Sequence, residues 1–274
     1  MGSYETPEPI RLDLMVAAGS IHIETADTDR TVVEIQPAGP RASLDDVREE
    51  LRDLAGGGKE LVLRAPDVRT GLGFLRVPAY RVRITTPHGA AVEVSTASAD
   101  VTGDGRFARV DAKTASGDLS FDEVDGDVAL KTASGDARVA RIGGMATATA
   151  VSGDLTLPRV EGELRGTTVS GEIEVGGAAA SMWLKSVSGD VRVDALSAGQ
   201  AVVHTVSGDV TLGVRPGRRV WLDLDTKSGD TTTDLDVGEH EGSVADRPLL
   251  EIRVVSVSGD IRVHRERTAS PAAI

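Results

Sequence analysis

Ser116-Gly117-Asp118-Leu119-Ser120-Phe121-Asp122-Glu123-Val124-Asp125-Gly126-Asp127-Val128-Ala129-Leu130-Lys131-Thr132-Ala133 leads straight into Ser134-Gly135-Asp136, and this return of the same corner decides the fold. The corner recurs as Ser98-Ala99-Asp100, Ser152-Gly153-Asp154, Ser170-Gly171-Glu172, Ser188-Gly189-Asp190, Ser207-Gly208-Asp209, Ser228-Gly229-Asp230 and Ser258-Gly259-Asp260. From Ser98 to Ser188 the intervals are all equal, and those that end at Ser207, Ser228 and Ser258 are successively longer. A fixed period of this length means one supersecondary unit, copied and stacked.

With each serine as position 0, apolar residues fall at offsets 3, 5, 8, 12, 14 and 17, as in Leu119, Phe121, Val124, Val128, Leu130 and Ala133. These are two triplets half a period apart, and glycine repeats at the same half-period (Gly117 and Gly126, Gly135 and Gly144, Gly153 and Gly162). The spacing of two puts residues of a short strand on one face, so each half-coil is a strand with three inward positions and a turn. Nothing within a half-coil has the three-and-four spacing of a helix. A triangular hexapeptide helix has the same period per coil, but its frames would place either Asp127 and Glu163 or the column Asp118, Asp136, Asp154 and Glu172 inside. The fold class expected is therefore all-β: a right-handed parallel β-helix (β-solenoid) with 18-residue coils, strands about 4.8 Å apart and equivalent side chains in columns.

A stack of strands has two open ends and needs caps. The runs Arg11–Leu14, Ser20–Ile23, Thr31–Ile35, Glu60–Leu63 and Tyr80–Ile84 alternate like strands. One helix is predicted from Ser43 to Leu54, with Ser43 and Asp46 spaced as a capping box, Leu44, Val47, Leu51 and Leu54 on one face, and a stop at Gly56-Gly57-Gly58. The domain plan is a strand-plus-helix cap over 1–95, β-solenoid repeats over 96–264 and a flexible tail over 265–274. Arg265-Glu266-Arg267 and Pro271 charge and break the last edge.

Repeated valine-serine-glycine-aspartate turns after a strand-rich start resemble a bacterial family of β-helical domains of unknown function labelled putative adhesins. The most specific stretch is Ser116 to Asp209. The resemblance implies a right-handed β-helix and suggests surface adhesion, and it brings no catalytic motif.

Composition narrows the function. A net charge of -13 and a pI near 4.9 oppose contact with phosphate backbones and anionic lipid, so neither nucleic acid nor membrane is expected as a partner. There is no cysteine, so thiolate metal sites and disulfides are excluded. The acidic, proline-bearing start Met1–Pro9 lacks a signal peptide's basic and apolar regions, which points to a cytoplasmic location.

The acids after the small corner residues form a column in which neighbours about 5 Å apart repel by about 0.8 kcal/mol in water. Turn amides, with help from Arg138, Arg192, Arg262, Lys113, Lys131 and Lys185, are expected to relieve this, with bound calcium as the alternative. The pairs Asp136 with Arg138 and Asp190 with Arg192 are where a polysaccharide-active enzyme would place its groups, but they repeat, whereas an active site appears once. The five histidines lack ligand spacing. No cofactor, metal or catalytic residue is expected.

The segment Arg64–Tyr80 sets Arg69 and Arg76 around Leu72, Phe74 and Leu75, a basic loop with an apolar tip on an acidic chain. It is the candidate contact with another protein or a second copy, with Trp183, outward between inward Met182 and Leu184, as an additional contact. The function expected is a non-enzymatic scaffold or binding module; an adhesin-like surface protein that binds a glycan is the alternative, and the enzyme stands behind both.

Overall fold

In the computed structural model the described residues are 2–39, 42–55, 57–65, 78–178, 180–235 and 249–266. The chain enters as β1 (Gly2–Glu5), β2 (Arg11–Ala26) and β3 (Arg30–Pro37), turns at Leu44–Asp46, and continues as β4 (Arg48–Asp53), β5 (Lys59–Arg64), β6 (Ala79–Pro87) and the long β7 (Ala90–Lys113). Two strands per coil follow: β8 (Leu119–Val124) and β9 (Val128–Lys131), β10 (Ala137–Ile142) and β11 (Ala146–Thr149), β12 (Leu155–Val160) and β13 (Leu164–Thr167), β14 (Ile173–Ala178) and β15 (Met182–Ser188). The remainder is β16 (Val191–Leu196), β17 (Gly199–Ser207), β18 (Val210–Val214), β19 (Arg219–Ser228), β20 (Thr231–Thr233), β21 (Leu249–Ser258) and β22 (Ile261–Arg265). These strands form one continuous, mostly parallel sheet wound into a β-solenoid.

Two ladders run up the stack. One joins β8, β10, β12, β14, β16 and β18; the other joins β9, β11, β13, β15 and β17. The register is the sequence period: Leu119, Ala137, Leu155, Ile173 and Val191 lie in one column, and Val128, Ala146, Leu164 and Met182 in another. Both columns are buried to 3% exposure or less. The core is narrow and aliphatic, with its bulkiest point where Phe107 and Phe121 meet edge to face at 5.7 Å. Gly103 makes room for that pair, because a Cβ there would lie 2.3 Å from the Phe121 ring.

The corner departs from expectation at one offset. Offset 17 is expected inward, yet Val151, Val169, Val187, Val206 and Val257 are 41–49% exposed. The inward residue is the hydroxyl one place earlier: Thr114, Thr132, Thr168, Ser186, Thr205 and Ser256 are buried. Strand parity explains it, since offsets 12, 14 and 16 share a face and 17 does not. In the regular coils the buried hydroxyl finds its partner in the turn, where the N–H groups of Gly117, Gly135 and Gly171 donate to the Oγ1 atoms of Thr114, Thr132 and Thr168 at 2.9, 2.9 and 3.0 Å, whereas Thr205 and Ser256 have no partner among the described residues.

The predicted helix over 43–54 does not form. Ser43 caps only the short turn Leu44–Asp46, and β4 pairs antiparallel with β5 from Arg48 opposite Arg64 to Asp53 opposite Lys59. A lone helix of this length is marginal in water, whereas β5 presents an edge of unsatisfied backbone groups that β4 fills. Leu51 packs against the core from the strand and Val47 from the end of the turn before it, and Leu44 is left 51% exposed.

Parallel pairing begins before residue 96. Residues 11–24 of β2 pair with residues 91–104 of β7, and β5 and β6 pair on the other side of β2. Antiparallel β3 covers β6, and β1 covers β3. A buried hydroxyl chain, Thr6 to Thr31 at 2.8 Å and Thr31 to Thr86 at 3.1 Å, ties these strands together. At the far end the coils are not stacked in chain order. β21 and β22 pair with β17 and β18, and β19 and β20 lie outside them as the terminal coil.

Two substitutions test the corner. A Cβ on Gly153 would sit 2.0 Å from the carbonyl oxygen of Gly135, backbone that cannot yield, whereas nothing lies within 4 Å at Gly39. Urea denaturation should show Gly153→Ala losing about 3 kcal/mol or failing to fold, with Gly39→Ala within about 0.5 kcal/mol of wild type. Ala150 stands where the neighbouring coils have Thr132 and Thr168. Ala150→Ser supplies the missing acceptor to Gly153 and should add about 1 kcal/mol; a lower denaturation midpoint would refute this account of the hydroxyl column.

Candidate binding surface

Arg69, Leu72, Phe74, Leu75 and Arg76 lie outside the described residues. Trp183 is placed as expected, half-exposed on β15 between Met182 and Leu184, which are buried. Its ring has the Arg165 guanidinium at 5.6 Å from the centroid, in the neighbouring strand of the same sheet. Parallel register then sets Val202, Arg253 and Asp223 beside it in successive strands. Trp221, on β19, also carries an arginine, but diagonally: it is 47% exposed, stands opposite Glu251 and has Arg253 at 5.8 Å, with Arg253 Nε also 2.8 Å from Asp223. Arginine over an indole is a cation–π contact and holds the ring flat against the sheet.

Beside this face runs a ridge whose residues the hydrophobic pattern assigns to the core. Val151, Val169, Val187, Val206 and Val257 project from five corners adjacent in the stack, and Val255, at 38% exposure, adjoins them. An aliphatic row repeated at strand spacing is a contiguous apolar strip rather than scattered exposure. The signal that could have found it is parity: valine at offset 17 alternates with inward residues at 14 and 16.

On the ridge's other flank stands the acid column. Each aspartate accepts a backbone bond from the next: Asp118 N–H to Asp100 Oδ1 at 3.1 Å, Asp136 to Asp118 and Asp154 to Asp136 at 2.9 Å, and Glu172 to Asp154 at 2.8 Å. Beyond Glu172 the chain of bonds resumes as Asp209 to Asp190, Asp260 to Asp209 and Asp230 to Asp260. Amide donors therefore supply the relief, and side-chain cations point elsewhere: Arg192 pairs with Asp194 at 2.8 Å and Lys113 with Asp111 at 3.1 Å. Among the described residues no group of three or more His, Asp or Glu side chains converges as a metal site would.

At the coil's other turn the Arg106 guanidinium, bonded at 3.1 Å, holds the Asp125 carboxyl below the usual carboxylate range, with Arg141 adding to it. Arg141 itself reaches Glu161 at 3.3 Å, so one network links successive coils. These groups are partly exposed, and solvent screening keeps the contribution of such pairs to stability small. A groove nearby is lined by Pro158, Gly176 and Gly177, and its arginines are paired, Arg159 with Glu161 at 3.2 Å and Arg215 with Glu266 at 3.7 Å.

The ladder separates hydrogen bonding from charge. Asp136→Asn keeps an oxygen for the Asp154 N–H and removes one repelling charge, so its melting temperature should equal or exceed wild type; Asp136→Ala loses the acceptor and should cost about 1 kcal/mol. Equal behaviour of the two variants would show that the bond contributes nothing.

A family profile, Toastrack DUF4097, matches residues 12–176 and again residues 163–264. No curated protein matches the sequence. Among solved structures the chain is similar to a putative cell adhesion protein from Clostridium sporogenes at 11% identity, covering 96% of this chain and 98% of that one with a TM-score of 0.28. It is also similar to putative adhesins from Bacteroides fragilis (13% identity, 95% of each chain, TM-score 0.42) and Parabacteroides merdae (11% identity, 95% of this chain and 94% of that one, TM-score 0.46). With the profile spanning nearly the whole solenoid, the chain belongs to the Toastrack DUF4097 family, β-solenoid domains of unknown function.

Proposed function

We propose that this protein is a non-enzymatic binding scaffold that holds another protein along the valine ridge and the adjoining Trp183 face. The observation that carries the reading is the ridge itself: five valines 41–49% exposed at the same corner of consecutive coils. Solvent-facing valine gives the free chain nothing, whereas a partner that covers the row gains about 25 cal/mol for each Å² removed from water. The arginines over Trp183 and Trp221 and the acid column supply polar flanks of opposite sign, which fix a partner's orientation. Repetition also supports a scaffold over an enzyme. The same corner groups recur coil after coil, while a catalytic constellation needs one unrepeated arrangement.

The test is affinity capture from the native cell's soluble fraction with wild type, Val187→Ser/Val206→Ser/Val257→Ser, and Leu72→Ser/Phe74→Ser/Leu75→Ser. Loss of a captured protein in the valine variant, with circular dichroism unchanged, supports the ridge. Loss only in the second variant moves the contact to residues 72–75. Unchanged capture by both variants overturns the ridge as the contact, and retention on immobilised polysaccharide with no captured protein overturns the proposal in favour of the glycan-binding alternative.

A further inference from the structure

The two ends of the solenoid are finished differently. At the first, antiparallel β3 and β4 lie along β6 and β5. At the last, β19 pairs with β21 on one side and with no described strand on the other. Within this terminal coil the two strands differ in kind. β20 carries Thr231 and Thr233 in columns that hold Ile261 and Val263 one coil inward, so its inward row is wettable. β19 keeps Val220, Leu222 and Leu224 in the columns of Leu250, Ile252 and Val254. Those three neighbours are 0% exposed, whereas Val220, Leu222 and Leu224 are only partly buried. An end meant for water would have the polar row on both strands.

We propose that β19 is a homodimer edge: two chains join end to end by antiparallel pairing of β19 with β19 of a second copy, about a two-fold axis at Leu222. Charge selects both the occupant and the register. Inward rows meet only when paired residue numbers sum to an even value. A sum of 446 sets Asp223 against Asp223 and Arg219 against Lys227; a sum of 448 sets Asp223 against Asp225. Like charges directly opposite are destabilising. A sum of 444 sets Arg219 against Asp225 twice, Val220 against Leu224 twice, and Leu222 against itself. A sum of 442 also sets Arg219 against an acid, Asp223, but leaves Leu224 opposite Arg218, so 444 alone gives Val220, Leu222 and Leu224 each an apolar partner and Arg219 an anion. Arg219 also contacts its own chain, so the pairing adds to or exchanges that interaction. The result is an isologous interface in which the sheet continues from one chain to the other.

The chain has no cysteine, so single substitutions report the register directly. Cα atoms of directly opposed residues lie about 4.5–5.5 Å apart, within disulfide reach. Wild type should sediment as a dimer. Under mild oxidation Leu222→Cys should cross-link in full, and Asp223→Cys and Leu224→Cys at least about tenfold more slowly. Arg219→Asp should weaken the dimer by about tenfold or more, and Arg219→Asp/Asp225→Arg should restore it. A monomeric wild type, cross-linking fastest at 223 or 224, or no recovery in the double variant while circular dichroism shows a folded chain, would overturn the proposal.

Discussion

At the Ser-Gly-Asp corner the α-carbon of one glycine sits against the carbonyl oxygen of the glycine one coil below. A Cβ on Gly135, Gly153 or Gly171 would come within 2.0 Å of that oxygen. This approach brings the aspartate N–H of one coil onto the aspartate carboxylate of the last, and it sets the buried threonine two residues before the serine beneath the glycine amide. Coil spacing, register and the burial of a hydroxyl all follow from it. The strands between corners then need only alternate. That is why Ala137, Leu155 and Ile173 can share one inward column: the backbone, not side-chain size, fixes the stacking distance.

The corner takes two forms, and they divide the molecule. At Gly117, Gly135 and Gly171, threonine Oγ1 accepts from the glycine N–H. At the Ser186 corner the hydroxyl donates instead to the carbonyl of Gly189 at 3.0 Å, in the outer coil Thr226 donates to the Gly259 carbonyl of the adjacent coil at 3.2 Å, and the buried hydroxyls of Thr205 and Ser256 between them have no partner among the described residues. Gly208, Gly229 and Gly259 there have φ of 142°, 143° and 135°, which favours glycine. The glycine N–H now bonds to the serine carbonyl of the next coil, as Gly208 does to Ser258 at 3.1 Å. The peptide plane is reversed. The change coincides with Glu172, whose side chain is one methylene longer than the aspartates that accept in the ladder, and with Ser188 to Ser207, the first interval to exceed the strict period.

The regular coils are legible in the sequence because a column needs the same residue type at the same offset, and Leu119, Phe121 and Val124 with their equivalents supply it. Offset 17 misleads when hydrophobicity is weighed above parity: valine looks like core, and threonine looks like surface. The β4 segment misleads for another reason. Arg48-Glu49-Glu50-Leu51-Arg52-Asp53 favours helix locally, and only the free edge of β5, a tertiary feature, makes it a strand. Alternation is enough to find Trp183. It does not find Trp221, because that strand lies beyond the strict period.

The order of coils is not legible at all. The period shows that coils resemble one another, and any two coils of like register can pair. At the first end β2 lies between β7 and the coil made by β5 and β6; at the last, β21 and β22 lie between β17 and β18 and the coil made by β19 and β20. In both places the outermost parallel coil is held by a neighbour that is not its simple successor in the stack. A solenoid whose ends frayed coil by coil in sequence order would lose its first and last strands most readily. Placing β2 and β21 in the interior buries Leu12, Leu14, Ile252 and Val254 fully. The outer coil at each end is thereby a closure laid over a complete stack, and its inward row can be chosen for what meets it: antiparallel strands at one end, and at the other a threonine row beside an aliphatic one.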